Sequence, residues 1–148
     1  MKSVKERPAP ADQSLARYAR HHRRFALLAA MQAKNVLPFF EAERPNDARP
    51  RRAIEAIQAW AHAKRELGMA EVRRLSLGAH AAARQCKRDA ARFAARAAGH
   101  AVATWHVPTH AMGVPMYACK AILASERTPP QAKGGQKRPP RSSLRGAA

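Results

Sequence analysis

Acidic residues are scarce in this chain. Ten Asp and Glu stand against 28 Lys and Arg, a formal net charge of +18 over 148 residues. Cysteine is nearly absent. Cys86 and Cys119 lie in helix-like runs with no C-x-x-C spacing; a disulfide between them stays open, and two small buried thiols are the stronger expectation. No segment alternates with β-branched residues, which excludes a sheet. No run approaches the ~20 apolar residues of a membrane span. The N-terminus carries no apolar signal region, so a cytoplasmic protein without a membrane partner is expected. There is no G-x-S-x-G motif and no glycine-rich phosphate loop; Gly134 and Gly135 follow no strand. Catalysis therefore has little support, and no cofactor is expected. Large apolar side chains are few as well: Val, Ile, Leu and Phe number only 22.

What fills the chain is alanine, 35 of its 68 hydrophobic residues. Alanine is the best helix former, so an all-α protein with helices packed on alanine faces is expected. Residues 1–16 hold Pro8, Pro10 and scattered charge. Residues 125–148 hold four prolines, three glycines and six basic residues against one acid. Neither segment has enough apolar surface to offset chain entropy, so both are expected to be disordered. The folded domain then spans 17–124. Residues 1–24 and 125–148 carry +5 each, so more than half of the charge lies towards the ends. Such ends attract polyanions without specificity, which keeps a nucleic-acid partner open.

The helical periodicity predicts a single small bundle of about five helices. The first starts near Ser14 and runs through Phe25, Leu28, Ala29, Gln32 and Val36. Its turn Arg17–Arg24 is cationic, with His21 and His22 solvated, and Pro38 either kinks it or starts a new turn. A loop at 44–52 ends at a helix start, with Asp47 or Arg49 at or just before the cap and Pro50 in the first turn. The second helix buries Ala53, Ile54, Ile57, Trp60 and Ala61 and is broken by Gly68. The third runs from about Ala70 to Cys86. The fourth starts with Asp89 as cap and runs towards His106. Pro108 opens the fifth, which reaches about Leu123 and is bent by Pro115 near Ala111. Its apolar residues, Met112, Met116, Cys119 and Leu123 on one stripe and Ala111, Ala118 and Ile122 on another, predict a helix buried between the others.

Two constellations bear on function. His106 and His110 are four apart, with His100 nearby and His80 within reach if the helices pack antiparallel. A metal site needs three or four converging ligands. No carboxylate or thiol lies close in sequence, and Pro108 splits the pair. His100, His106 and His110 are the residues a metal would use, but no metal is expected, and the histidines read as a polar seam between the last two helices. The second constellation is Glu41 and Asp47 with Arg49 and Arg51, an ion-pair and capping cluster at the loop. Arg88, Arg92 and Arg96 share a helix face that can follow a phosphate backbone. Aromatics for base stacking are missing beside it.

Two blocks of residues point further. The first is Phe40-Glu41, Arg44-Pro45-Asn46-Asp47, Arg49-Pro50-Arg51, Ala53-Ile54-Glu55-Ala56 and Trp60. The second is Ala79-His80 through Arg84, Ala98-Gly99-His100-Ala101, Thr104, His106-Val107, His110-Ala111, Gly113, Tyr117-Ala118 and Lys120-Ala121. Together they resemble the immunity proteins of bacterial polymorphic toxin systems, in the immunity-five-like family, over about 25–124. The resemblance implies a small all-α protein that binds and neutralises a cognate toxin without catalysis. It implies candidate binding residues Glu41, Asp47, Arg49, Arg51 and Trp60 in the first block, and His80, His100, His106, His110 and Tyr117 in the second. Pro115 departs from the family pattern. So does the basic balance, which suits a toxin with an acidic surface better than a nuclease. The alternatives are a nucleic-acid-associated basic protein and a metal-binding protein using the clustered histidines.

Overall fold

The first helix buries Ala26, Ala29, Ala30, Ala33, Val36, Leu37 and Phe40. That three- and four-residue spacing is one helical face, offset by one position from Phe25 and Leu28, which point outward. A computed structural model describes residues 10–127, with side chains from residue 17 onward. Five α-helices and one 3-10 helix make up the described residues: α1 (Pro10–Glu43), α2 (Arg49–Ala61), α3 (Met69–Arg84), α4 (Asp89–Ala103), the 3-10 helix (Pro108–Met112) and α5 (Gly113–Arg127). The all-α expectation holds. The helices are joined by short connections, and no strand occurs among these residues.

Helix α4 is the centre. It packs against α1, α2, α3, α5 and the 3-10 helix. Its sequence, DAARFAARAAGHAVA, explains why: Ala90, Ala91, Ala94, Ala95, Ala97, Ala98, Gly99, Ala101, Val102 and Ala103 are all buried. Small side chains on nearly every side let four helices approach one axis. The larger core side chains sit on the surrounding elements, among them Phe40, Ile54, Ile57, Val72 and Val114.

Helix boundaries depart from the sequence expectation where capping decides them. Helix α1 starts at Pro10, before Ser14, so residues 10–16 are helical rather than disordered; residues 1–9 and 128–148 lie outside the described residues. It runs through Pro38 without ending, because proline removes only one bond and Pro38 is exposed. Helix α2 stops at Ala61, not Gly68. Ala63 takes a positive φ of 55°, its N–H donates to the Trp60 carbonyl, and the Lys64 N–H donates to the Ala59 carbonyl. This is a Schellman stop built on alanine, a residue with no sequence signature for it. Gly68 instead precedes α3 as its extended N-cap.

The expected cap Asp89 is the first residue of α4, and Arg88 holds the cap position. The amides ahead of α4 are satisfied from α1. Glu43 accepts from the Lys87 N–H through Oε1 at 2.6 Å and from the Arg88 N–H through Oε2 at 3.0 Å. The segment read as one bent helix from Pro108 is a 3-10 helix followed by α5, with the junction at Met112–Gly113 next to the expected break at Ala111. Pro115 falls in the first turn of α5, where its missing N–H has no partner within α5 to lose. Helix α5 is not buried on all sides. Val114, Ala118 and Ala121 face inward, while Met116, Ile122 and Leu123 are exposed. Cys86 is buried as expected; Cys119 is exposed.

Candidate functional site

The second motif block folds into one row of rings. His80 comes from α3, His100 from α4, His106 from the turn after α4, His110 from the 3-10 helix and Tyr117 from α5. The centroids of His80 and His100 are 5.4 Å apart in an edge-to-face arrangement. His100 lies 5.6 Å from His110, which lies 5.4 Å from His106. Tyr117 stacks on His100 at 5.1 Å. Lys120 holds its ammonium 5.4 Å from the Tyr117 ring and 5.7 Å from Phe93.

Glycines make this row possible. A Cβ on Gly99 would lie 2.7 Å from both Cε1 and Nε2 of His80, and one on Gly113 would lie 3.1 Å from Nδ1 of His100. The His80 ring therefore rests on the bare backbone of α4. Arg96 Nη1 is 3.1 Å from its Nδ1. A guanidinium only donates, so Nδ1 accepts and the ring carries its proton on Nε2. Burial, then Arg96 and His100, pushes the His80 pKa down to about 4. Burial also lowers His100, reinforced by His110 and Arg96, and lowers His106, reinforced by His110. His80 is thus held in its neutral form at pH 7.

A metal reading needs nitrogens converging on a point, and the rings instead follow one another in a line. His80 spends Nδ1 on Arg96, and His100 lies flat against Tyr117. Among the described residues no group of three or more His, Cys, Asp or Glu side chains is placed to hold a metal ion. The weak candidates His100, His106 and His110 do not form such a site.

The first motif block divides in two. Asp47, just before the cap at Ala48, receives the Arg49 guanidinium at 2.9 and 2.6 Å and the Arg49 N–H at 3.2 Å. Arg44 adds a weaker contact at 3.4 Å. The Arg49 hydrogen bond, against a smaller effect of burial, holds the Asp47 pKa down at about 2, and Asp47 raises that of Arg49. Both arginines also donate to Gln85 at the end of α3, Arg49 at 2.7 Å and Arg44 at 3.2 Å. The loop is thereby fastened to α3 beside an open polar cavity of about 640 Å³. Glu41 and Arg51 form a separate pair at 2.7 Å that joins α1 to α2.

Trp60 joins neither cluster. It is 7% exposed, with the His22 ring edge-on at 5.1 Å and the Arg23 guanidinium 4.6 Å from its centroid. Arg23 donates to the Trp60 carbonyl, and His22 Nε2 donates to the Thr104 carbonyl at 2.6 Å. His22 is thus half-buried and structural rather than solvated. The partners of His22, Arg23, Glu43, Gln85 and Arg96 were not readable from sequence because each acts on a residue far away in the chain; His22 and Arg96 read as solvated surface and basic stripe instead. The arginine face of α4 is largely engaged as well. Arg92 pairs with Asp89 at 2.6 Å, and Arg96 holds His80. The α4 stripe is therefore not free to follow a phosphate backbone.

Fold and site together define a small helical protein in which the chemically capable side chains are turned onto one another and tie helices together. The chain belongs to the family described as Imm-5 like putative immunity protein, whose family model matches residues 16–138. No curated protein and no solved structure matches it. No helix among the described residues is long and apolar enough to cross a membrane.

Proposed function

We propose that this protein binds and neutralises a cognate toxin by covering it, without catalysing a reaction, in the cytoplasm of the cell that makes it. Membership of the immunity family carries this reading, since the partner of an immunity protein is a toxin. The geometry supports it in two ways. The rings of His80, His100 and His110 pack on one another and on Tyr117, which favours a structural role for them. Large apolar side chains meanwhile stand exposed on α1, the 3-10 helix and α5, as a protein-binding surface requires.

Of the ten candidate residues, Arg51 and His106 are exposed and would touch the toxin directly. Glu41, Asp47, Arg49, Trp60, His80, His100, His110 and Tyr117 serve by holding the surface in shape. The net charge of +18 favours a toxin with an acidic face. The test is to look for a toxin-like gene directly upstream and to co-express its product with this chain. Rescue of growth and a co-purifying complex are expected. Continued killing, with both proteins present and folded, would remove the proposal.

A further inference from the structure

Helix α1 outreaches the bundle. At 34 residues it is about 51 Å long, whereas the other helices have 13 to 16 residues, about 20 to 24 Å. It meets the ends of α2 and α4 at one level, where His22 and Arg23 reach Thr104 and Trp60. Residues 10–21 therefore extend about 18 Å past those ends.

Just inside that level an apolar groove of about 320 Å³ opens between α1 and the 3-10 helix. Phe25 and Leu28 form one wall, Pro108, Met112 and Pro115 the other, and Gln32 closes one end. Phe25 is 51% exposed, Leu28 55% and Met112 77%. From Leu28 towards the N-terminus the same side of α1 carries Arg24, Arg20 and Arg17, at four- and three-residue steps. All three are exposed, and none has an ion-pair partner among the described residues. Elsewhere Arg44, Arg49, Arg51, Arg65 and Arg92 hold carboxylates, while Arg52, Arg73, Arg84 and Arg88 are exposed without an ion-pair partner among the described residues but border no apolar groove of this kind.

We propose that the groove and the overhanging arginine row form one docking surface for an acidic amphipathic segment of the toxin, its apolar side chains in the groove and its carboxylates along Arg17, Arg20 and Arg24. Charge complementarity selects this occupant. A second copy would bring one cationic row towards another strongly basic chain, and the C-terminal segment beyond Arg127 is itself basic. An apolar slot continued by cations without an ion-pair partner among the described residues fits a helix laid in a groove with its acidic flank on the arm. This deepens the toxin-binding proposal and rests on it for the identity of the partner.

The experiment uses the full chain and two probes. The first is a helical peptide with leucines at i, i+3, i+4 and i+7 and glutamates beside them, against the same peptide with lysines. The glutamate peptide should bind at least tenfold tighter by fluorescence anisotropy. Leu28→Ser with Met112→Ser should weaken it at least tenfold without altering the circular dichroism, since both side chains are exposed. Arg20→Gln with Arg24→Gln should weaken it more than Arg73→Gln with Arg74→Gln, which removes equal charge from α3. The second probe is the toxin, whose neutralisation should fail with the serine variant. Equal binding of both peptides, or indifference to the serine changes, overturns the proposal. So does a dimer in sedimentation that the serine variant dissolves. If wild type and serine variant neutralise the toxin alike, the groove is refuted and the immunity function stands. If wild type fails to neutralise while groove-dependent peptide binding persists, the immunity function falls and the surface stands.

Discussion

Replacing Gly99 with alanine should destabilise this protein, against the usual sign for a glycine inside a helix. Gly99 lies within α4, and helix propensity alone would make alanine better by about 1 kcal/mol. The new Cβ, however, would lie 2.7 Å from two atoms of the His80 ring. That ring is held by Arg96 on one edge and meets His100 edge-to-face, so it cannot move without breaking a contact. Overpacking of this kind costs about 1–3 kcal/mol. Losing the Arg96 hydrogen bond adds about 1 kcal/mol. The net expectation is a loss of about 1–3 kcal/mol, or roughly 3–12 °C in Tm for a domain of this size. Gly78→Ala provides the internal comparison. It also lies inside a helix, but its nearest neighbour is Arg49 Cδ at 3.9 Å, so alanine should stabilise by about 0.5–1 kcal/mol. Urea denaturation at pH 7.5 reads both. His80→Ala in the Gly99→Ala background should recover most of the clash, a coupling of at least about 1 kcal/mol. If Gly99→Ala stabilises as Gly78→Ala does, the His80 ring swings out freely and the ring row is not a packed unit.

Acidification should weaken the fold between pH 6.5 and 4. In that window the unfolded chain protonates His80 while the folded protein, with a pKa of about 4, does not, so stability is full above the window and falls through it. Allowing for the ring's partial exposure, His80 alone accounts for about 1–2 kcal/mol. His100 and His106 shift in the same direction, and His80→Gln should flatten a plot of Tm against pH. Ala63→Gly should raise stability by about 1 kcal/mol, because glycine takes the positive φ of 55° without strain; an unchanged urea midpoint would refute the Schellman assignment. Glu43→Ala should cost about 1 kcal/mol by stripping two amides ahead of α4 of their acceptor, and hydrogen exchange at Lys87 and Arg88 should rise first.

The number of helices and the alanine faces were legible because both are local properties of the chain. So was the start of α2, where Pro50 and the side chain of Asp47 mark the boundary. The end of α2 was not, since Ala63 does by context what glycine usually does by freedom. The face of α1 was displaced by one residue because Phe25 and Leu28 look like core by type, while alanines hold the inside. The contact between His80 and His100 was legible as a possibility of antiparallel packing. Its cause was not: the absence of a side chain at Gly99 matters only once α3 lies across it. Glu43 escaped for a similar reason, capping a helix 45 residues away.

The alanine centre sets which parts of this molecule can vary. Around α4, four helices crowd one axis, so valine or leucine in place of Ala94, Ala97, Ala98 or Ala101 would push neighbours apart, and glycine would loosen the helix itself. These positions have almost no room in either direction. The outer faces of α1 and α5 take no part in that crowding and tolerate exchange freely. The scaffold can therefore change its outer surface while its axis stays fixed, with surface and folding written in separate sets of residues.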